Sequence, residues 1–373
     1  MSNKLYWVYQ SGGLCNQVMS IQNAIGFSYI TERELTLVNP LPVSGRGDGY
    51  NGVPYGKHWT NIIDLLEFPS SCSFTTSTRE RSLGEMTGKR QHLELMVQQL
   101  IADVNQENPS EEPEHFKIVN QYWDVFNFKD TFPENMMVGF GDKARSGNTV
   151  NYFNRMFYGD TDELFKILSS VRFKDCYVNL SEKISKELGD YNCIHSRVGD
   201  FDVVRSWAGI KTPNDEINRL FTSIDDFGID EKKMVICSNV TNREIDFYNP
   251  IRDRFPDAIL LEKFIETNYR DDLNQLPHYD PGVLSILSLL VSSNAVDFWG
   301  TMGSTFTGFI NRYWGEKNPN KKFKYMKEDF ADPPEFKFDD RGSLIDQREG
   351  KYSWYRQKTE YVQPWFFNSE TLT

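Results

Sequence analysis

The chain has 373 residues, 39% hydrophobic and 14% aromatic, so it holds enough apolar material for folded domains and is not disordered as a whole. Its formal net charge of −12 argues against a nucleic-acid partner, because such binding needs a basic surface. The five cysteines are widely spaced and contain no Cys-x-x-Cys pair, which argues against a zinc site or a disulfide framework. The amino terminus lacks the pattern of a signal peptide and no apolar run is long enough for a membrane span, so we expect a cytoplasmic protein.

The amino-terminal segment predicts a β-turn-α-β unit. A strand-like run at 4–10 leads into a glycine turn, Ser-Gly-Gly-Leu-Cys-Asn-Gln, and a second strand is predicted at 35–38. Between them, small or apolar side chains recur at helical spacing at Val18, Ile21, Ala24, Ile25 and Ser28. Such a unit opens a doubly wound parallel sheet, whose ligands bind beyond the carboxyl ends of the strands. Gly12 and Gly13 are therefore expected to face a pocket.

A dinucleotide-binding fold is the competing interpretation of this unit. The G-x-G-x-x-G spacing is absent, and the second strand ends in Asn39-Pro40 where a ribose-binding carboxylate is wanted. These two differences favour a site for a sugar nucleotide over the cofactor site of a nicotinamide-dependent oxidoreductase.

The next part of the chain carries few signals. Residues 39–59 are rich in proline and glycine and predict a long loop, and 83–104 predict a helix. A strand is predicted at 117–123 and a loop at 134–149. From Asp160 the pattern is helical as far as Gly189-Asp190.

The central motif is a strand at 191–195 that runs into His195-Ser-Arg197-Val-Gly-Asp200. Arginine keeps its charge at any working pH, and its planar fork of donors matches phosphate oxygens, so Arg197 suits a loop that holds an anion. The alternative is a surface pair of Arg197 and Asp200 after an ordinary strand.

Two later strands also end in polar residues. A strand at 233–237 stops at Ser238 and Asn239, which either contact a ribose or phosphate or only cap the next helix. A buried helix at 282–294 and a strand at 295–299 precede Gly-Thr-Met-Gly-Ser-Thr-Phe and a helix at 307–314. The amides of Ser304, Thr305 and Phe306 open that helix and can bind phosphate there, or they form an ordinary capped start.

The glycine turn with Asn16, His195-x-Arg197, and the late Gly-Thr-x-Gly-Ser-Thr-Phe together resemble the fucosyltransferase superfamily. This group contains the protein O-fucosyltransferases and their α1,2 and α1,6 relatives. The resemblance implies an α/β protein of GT-B architecture, two Rossmann-like domains with a cleft between them. We place an acceptor-side domain at 1–178 and a nucleotide-sugar-binding domain at 179–330. The aromatic-rich tail, 331–373, is expected to pack back on the body.

The implied activity is inverting, metal-independent transfer of L-fucose from GDP-fucose to a hydroxyl group of a glycan or other acceptor. By resemblance, Arg197 binds the diphosphate and assists the departure of GDP, with His195 as its nucleotide-binding companion. Asn16 matches an asparagine near the reacting sugar. The remaining matches are to nucleotide-contacting segments: Ser304, Thr305 and Phe306 at the phosphate and base, and Ser238 and Asn239 in a less fixed turn. Another GDP-sugar, or nucleotide or sugar binding without catalysis, remains open.

Overall fold

The computed structural model describes two compact units of the chain, and we treat each by itself. The described residues are 4–8, 14–38, 60–68, 72–77, 116–119, 135–138, 171–195, 217–218, 221–222, 224–225, 233–237, 248–300, 306–307, 309–310, 313 and 324–325. The amino-terminal unit holds those up to Val38 and from Asn61 to Arg172. The carboxy-terminal unit holds Thr60 and those from Phe173 onward. The predicted boundary near residue 178 falls a few residues past this division.

Both units contain short strands and helices. The strands are β1 (Lys4–Val8), β2 (Glu34–Val38), β3 (Leu66–Glu67), β4 (Phe74–Ser77), β5 (Phe116–Val119), β6 (Asn135–Val138), β7 (Arg172–Phe173), β8 (Tyr191–His195), β9 (Lys233–Cys237), β10 (Ile259–Leu260), β11 (Asp297–Gly300) and β12 (Lys324–Tyr325). The helices are α1 (Leu14–Thr31), α2 (Ile62–Leu65), α3 (Asp175–Leu188), α4 (Asn249–Arg254), α5 (Leu261–Asn268), α6 (Arg270–Gln275) and α7 (Pro281–Ser292).

The amino-terminal unit is built on a parallel sheet of order β4-β2-β1-β6-β5. Helix α1 joins β1 to β2, as the sequence predicts, and Val18, Ile21 and Ala24 on its apolar stripe are fully buried. Leu5 and Trp7 of β1 are fully buried as well. Burial of these side chains is what the apolar stripe of an amphipathic helix requires.

Strand β6 contradicts one prediction, because the sequence predicts a loop over residues 134–149. Asn135–Val138 instead pairs with β1 and β5 on its two sides, with Met136 opposite Leu5. The run is only four residues long and lies between Pro133 and Gly139, so neither length nor alternation marks it as a strand. Pairing with two neighbours, which one segment of sequence does not encode, decides its conformation.

The carboxy-terminal unit has a parallel sheet of order β10-β9-β8-β11-β12. Its strands confirm the predicted 191–195 and 233–237 segments. Ile194, Ile236 and Trp299 of the three central strands share a core cluster with Tyr248 and Ile251 near α4. Packing on both faces of the sheet explains why β8 is buried at every one of its residues rather than at alternate ones.

Helix α7 lies in the interior of this unit, as its nearly uniform apolar sequence predicts. Apolar side chains in each of its turns are at most 5% exposed: Val283, Leu284, Ile286, Leu287, Leu289, Leu290 and Val291. The Tyr191 hydroxyl donates a hydrogen bond of 2.6 Å to the Val291 carbonyl, which ties β8 to the last turn of α7. Strand β8 and helix α7 are therefore joined by a buried polar contact as well as by apolar packing.

The start of α7 is capped by Asp280. Its Oδ1 accepts hydrogen bonds from the amides of Gly282 and Val283 at 2.7 and 3.1 Å, and its Oδ2 accepts one from the Thr60 amide at 2.6 Å. Both carboxylate oxygens thus stabilise backbone donors, one set at the helix start and one on a distant segment.

Replacing Asp280 by alanine is expected to lower the free energy of unfolding by about 1–3 kcal/mol, because three backbone donors lose their acceptor. Urea unfolding followed by circular dichroism measures this loss. Alanine at Asp271, an exposed carboxylate of α6, serves as the matched control and should change stability by no more than about 0.5 kcal/mol. Equal effects of the two substitutions would show that the cap contributes nothing.

Three further predictions concern parts of the chain that the structure does not describe. They are the loop at 39–59, the helix at 83–104 and the aromatic tail at 331–373. Within the described ranges, no helix combines the length and apolar character needed to cross a bilayer.

Candidate functional site

The carboxyl ends of three neighbouring strands lie side by side in the carboxy-terminal sheet. His195, the last residue of β8, is in register with Cys237, the last residue of β9, and with Gly300, the last residue of β11. Along the chain, β9 and β10 are placed on one side of β8. The chain then returns, and β11 and β12 are placed on the other side of β8. The carboxyl ends of β8 and β11 therefore form a topological switch point, and doubly wound sheets bind their ligands at such points.

His195 is held at this switch point by a hydrogen bond to a later part of the chain. Its Nδ1 lies 2.7 Å from Oγ1 of Thr307, and the two residues are 6% and 0% exposed. Residues 306–307 and 309–310 are helical, so the threonine belongs to the helical segment that comes after β11. A buried hydrogen bond of this kind fixes the imidazole ring relative to that segment.

The ring of Phe306 covers the same imidazole. The ring centroids of His195 and Phe306 are 5.0 Å apart with the planes inclined by 33°. Aromatic pairs at this separation are attractive, so the phenyl ring restrains rotation of the imidazole about its side-chain bonds.

Gly300 makes room for this arrangement. A Cβ atom at that position would lie 2.3 Å from Cγ2 and 2.7 Å from Oγ1 of Thr307. In the sequence, the glycines at 300 and 303 on either side of Thr301-Met302 are interpreted as permitting close approach of a ligand. At Gly300 this prediction needs correction, because the threonine side chain occupies the space a Cβ would take.

Cys193 lies two residues before His195 but is not suited to nucleophilic chemistry. Burial raises the pKa of its thiol to about 12, against the lowering effect of hydrogen bonds with Ser292 and the Cys237 backbone. A thiol in this state is protonated at neutral pH, and thiolates are the reactive form.

The raised pKa of Cys193 predicts a loss of stability at alkaline pH. Because the pKa rises from 9.0 to about 12 on folding, the stabilisation is complete below 9.0 and lost as the pH approaches 12. In that window this thiol should lower the free energy of unfolding by about 1.4 kcal/mol per pH unit. Urea unfolding of the wild type and of Cys193→Ala measures it. The variant should show the shallower pH dependence, and identical slopes would contradict the assignment.

The structure brings together two of the residues that the sequence selects, His195 and Phe306. The other candidates of the carboxy-terminal unit lie outside the described residues: Arg197, Ser238, Asn239, Ser304 and Thr305. In the amino-terminal unit, Gly12 and Gly13 also lie outside them, and Asn16 is in the first turn of α1 with its side chain not described.

Sequence reasoning did not select Thr307 or Gly300 as site residues. Thr307 was assigned only to the start of a helix, and its partner His195 is 112 residues away in the chain. The available signal was the glycine that ends an apolar strand, since such a glycine often marks close approach of another group.

No acidic or metal-binding cluster accompanies these residues in the part of the chain that the structure covers. No group of three or more His, Cys, Asp or Glu side chains there is arranged to hold a metal ion. Asp280, an acidic residue beside α7, uses its carboxylate oxygens on backbone amides.

Comparison with known proteins gives similarity to solved structures only. The fucosyltransferase NodZ from Bradyrhizobium aligns at 10% identity over 84% of this chain and 94% of its own, with a TM-score of 0.44. POFUT1 in complex with GDP-fucose aligns at 11% identity over 87% and 98%, with a TM-score of 0.43. A variant of Arabidopsis thaliana FUT1 in complex with GDP aligns at 11% over 85% and 69%, with a TM-score of 0.42.

These structures are fucosyltransferases, the superfamily that the sequence motifs resemble. Neither a protein-family model nor a curated protein sequence matches the chain.

Proposed function

We propose that the chain is a glycosyltransferase that moves L-fucose from GDP-fucose to a hydroxyl acceptor, with inversion and without a metal ion. The observation that carries the proposal is the contact of His195 with Thr307 and Phe306 at the switch point of the carboxy-terminal sheet. It joins the central and the late motif on which the fucosyltransferase resemblance depends.

The sheet topology supports a shared anion site for the candidate residues that lie outside the described ranges. Arg197 follows β8 by two residues, and Ser238 follows β9 directly, so both continue from adjacent carboxyl ends in a parallel sheet. Ser304 and Thr305 come directly before Phe306, whose ring packs on His195. These groups are expected to converge on one diphosphate.

The chemistry needs such a site. Cleavage of the bond between fucose and phosphate builds negative charge on the diphosphate and positive charge at the anomeric carbon. Arg197 and the amides at 304–306 stabilise the departing GDP, while Asn16, in the first turn of α1, is assigned to the fucosyl group. An enzyme that binds the departing charge more tightly than the ground state accelerates the reaction.

Calorimetry with GDP, followed by a GDP-fucose hydrolysis and transfer assay, tests the proposal. GDP binding together with fucose release or transfer is the expected result. Binding without turnover towards any acceptor on a glycan array would overturn the enzyme assignment and favour a nucleotide-binding protein. Affinity for NAD but not GDP would instead favour the dinucleotide fold.

A further inference from the structure

We propose that Thr307 is a positioning residue: its hydroxyl donates a hydrogen bond to Nδ1 of His195 and so keeps the imidazole proton on Nε2, where it can be donated to an oxygen of the nucleoside diphosphate. This inference rests on the proposed function, since it takes the diphosphate as ligand. Thr307 is thereby added to the site as a residue that acts only through the side chain of His195.

The chain brings the hydroxyl to the imidazole by a specific local arrangement. His195 and Gly300 are opposite one another on the adjacent strands β8 and β11. The missing Cβ of Gly300 leaves room for Thr307, whose Cγ2 and Oγ1 occupy positions 2.3 and 2.7 Å from where that atom would lie. The threonine is thus seated between the end of β11 and the imidazole, 2.7 Å from Nδ1.

The direction of the hydrogen bond follows from the chemistry of the ligand. Ionised phosphate oxygens accept hydrogen bonds, so an imidazole that contacts them must present a proton. A neutral imidazole carries one proton, and if it is on Nε2 then Nδ1 is an acceptor. A hydroxyl group can supply the donor that Nδ1 then requires.

The ring of Phe306 complements this role. A half-turn of the imidazole would exchange the positions of its ring nitrogens and carbons, and the phenyl ring 5.0 Å away restrains that motion. The hydroxyl selects the tautomer and the phenyl ring maintains the orientation. Both residues belong to the same short segment, so they reach His195 together.

The tautomer is measured directly by nitrogen NMR on the full chain labelled with ¹⁵N-histidine. The chain has five histidines, and the resonances of His195 are assigned by their loss in His195→Gln. The expected result for the wild type is a proton on Nε2 and a lone pair on Nδ1. This measurement needs no Thr307 variant to fold.

Three variants then connect the tautomer with binding. Thr307→Val keeps the shape but removes the hydroxyl, and we expect GDP affinity to fall by about tenfold or more, with KM for GDP-fucose rising in parallel. Thr307→Ser retains the hydroxyl and should restore both. The control is Thr222→Val, since the Thr222 hydroxyl donates to the Asn218 carbonyl at 2.9 Å on an exposed helical turn and should leave GDP affinity unchanged.

The outcomes separate the two proposals. A wild-type His195 with its proton on Nδ1 overturns the role of Thr307 whether or not fucose is transferred, and so does unchanged GDP affinity in Thr307→Val. A wild type that holds the Nε2 proton but binds no GDP overturns the proposed function and, with it, the ligand assigned to Nε2.

Discussion

Replacing Arg197 by alanine is expected to reduce turnover of GDP-fucose by about 10²- to 10³-fold while the protein stays folded. The residue comes two positions after His195, which lies at the switch point of its sheet. In the proposed function the guanidinium contacts the diphosphate, where negative charge increases as the sugar leaves. Loss of a preorganised donor at that point raises the barrier rather than weakening the fold.

Steady-state kinetics with GDP-fucose, together with thermal unfolding, measure the two effects separately. Arg197→Lys keeps the charge but loses the planar fork of donors, so it should recover only part of the rate. The matched control is Arg270→Ala, which removes an exposed arginine of the same unit. Transfer by Arg197→Ala within a fewfold of the wild type would rule out its role at the leaving group.

Strongly patterned segments of the carboxy-terminal unit could be predicted from the sequence. The strand at 233–237 has the predicted bounds, because its apolar residues are bounded by Lys233 on one side and by Ser238 and Asn239 on the other. Helix α7 is nearly uniform in apolar residues over a length that excludes a strand, so its burial follows from composition. In both segments the local preference and the tertiary environment agree.

Segments that depend on distant partners could not be predicted in the same way. Strand β6 is four residues long and is defined by its pairing with β1 and β5. The site shows the same division. His195 and Phe306 belong to recognisable sequence motifs. Thr307 has a role only through its contact with His195, which is 112 positions away in the chain.

Replacing Gly300 by alanine is expected to lower both the free energy of unfolding and the affinity for GDP. The new Cβ would lie 2.3 Å from Cγ2 of Thr307 and 3.0 Å from its Cβ, so either the end of β11 or the threonine must move. Overpacking of this kind costs about 1–3 kcal/mol in the free energy of unfolding. Displacement of the threonine also breaks its contact with His195, and GDP affinity should fall with stability.

A second glycine separates the site effect from a general loss of stability. Gly189, at the end of α3, has φ of 72° and ψ of −146°, and an added Cβ there meets nothing within 4 Å. Gly189→Ala should therefore destabilise the fold by about 1–3 kcal/mol through backbone strain and leave GDP affinity unchanged. Urea unfolding and GDP calorimetry on both variants give the comparison.

The double variant Gly300→Ala with Thr307→Ser tests the cause of the Gly300 effect. Serine lacks the Cγ2 atom that comes closest to the new Cβ, so the double variant should be more stable than Gly300→Ala alone. Serine also keeps the hydroxyl for His195, so part of the GDP affinity should return with the stability. If the two substitutions act additively instead, Thr307 is not the group that Gly300 accommodates, because residues in direct contact show an interaction energy in such a cycle.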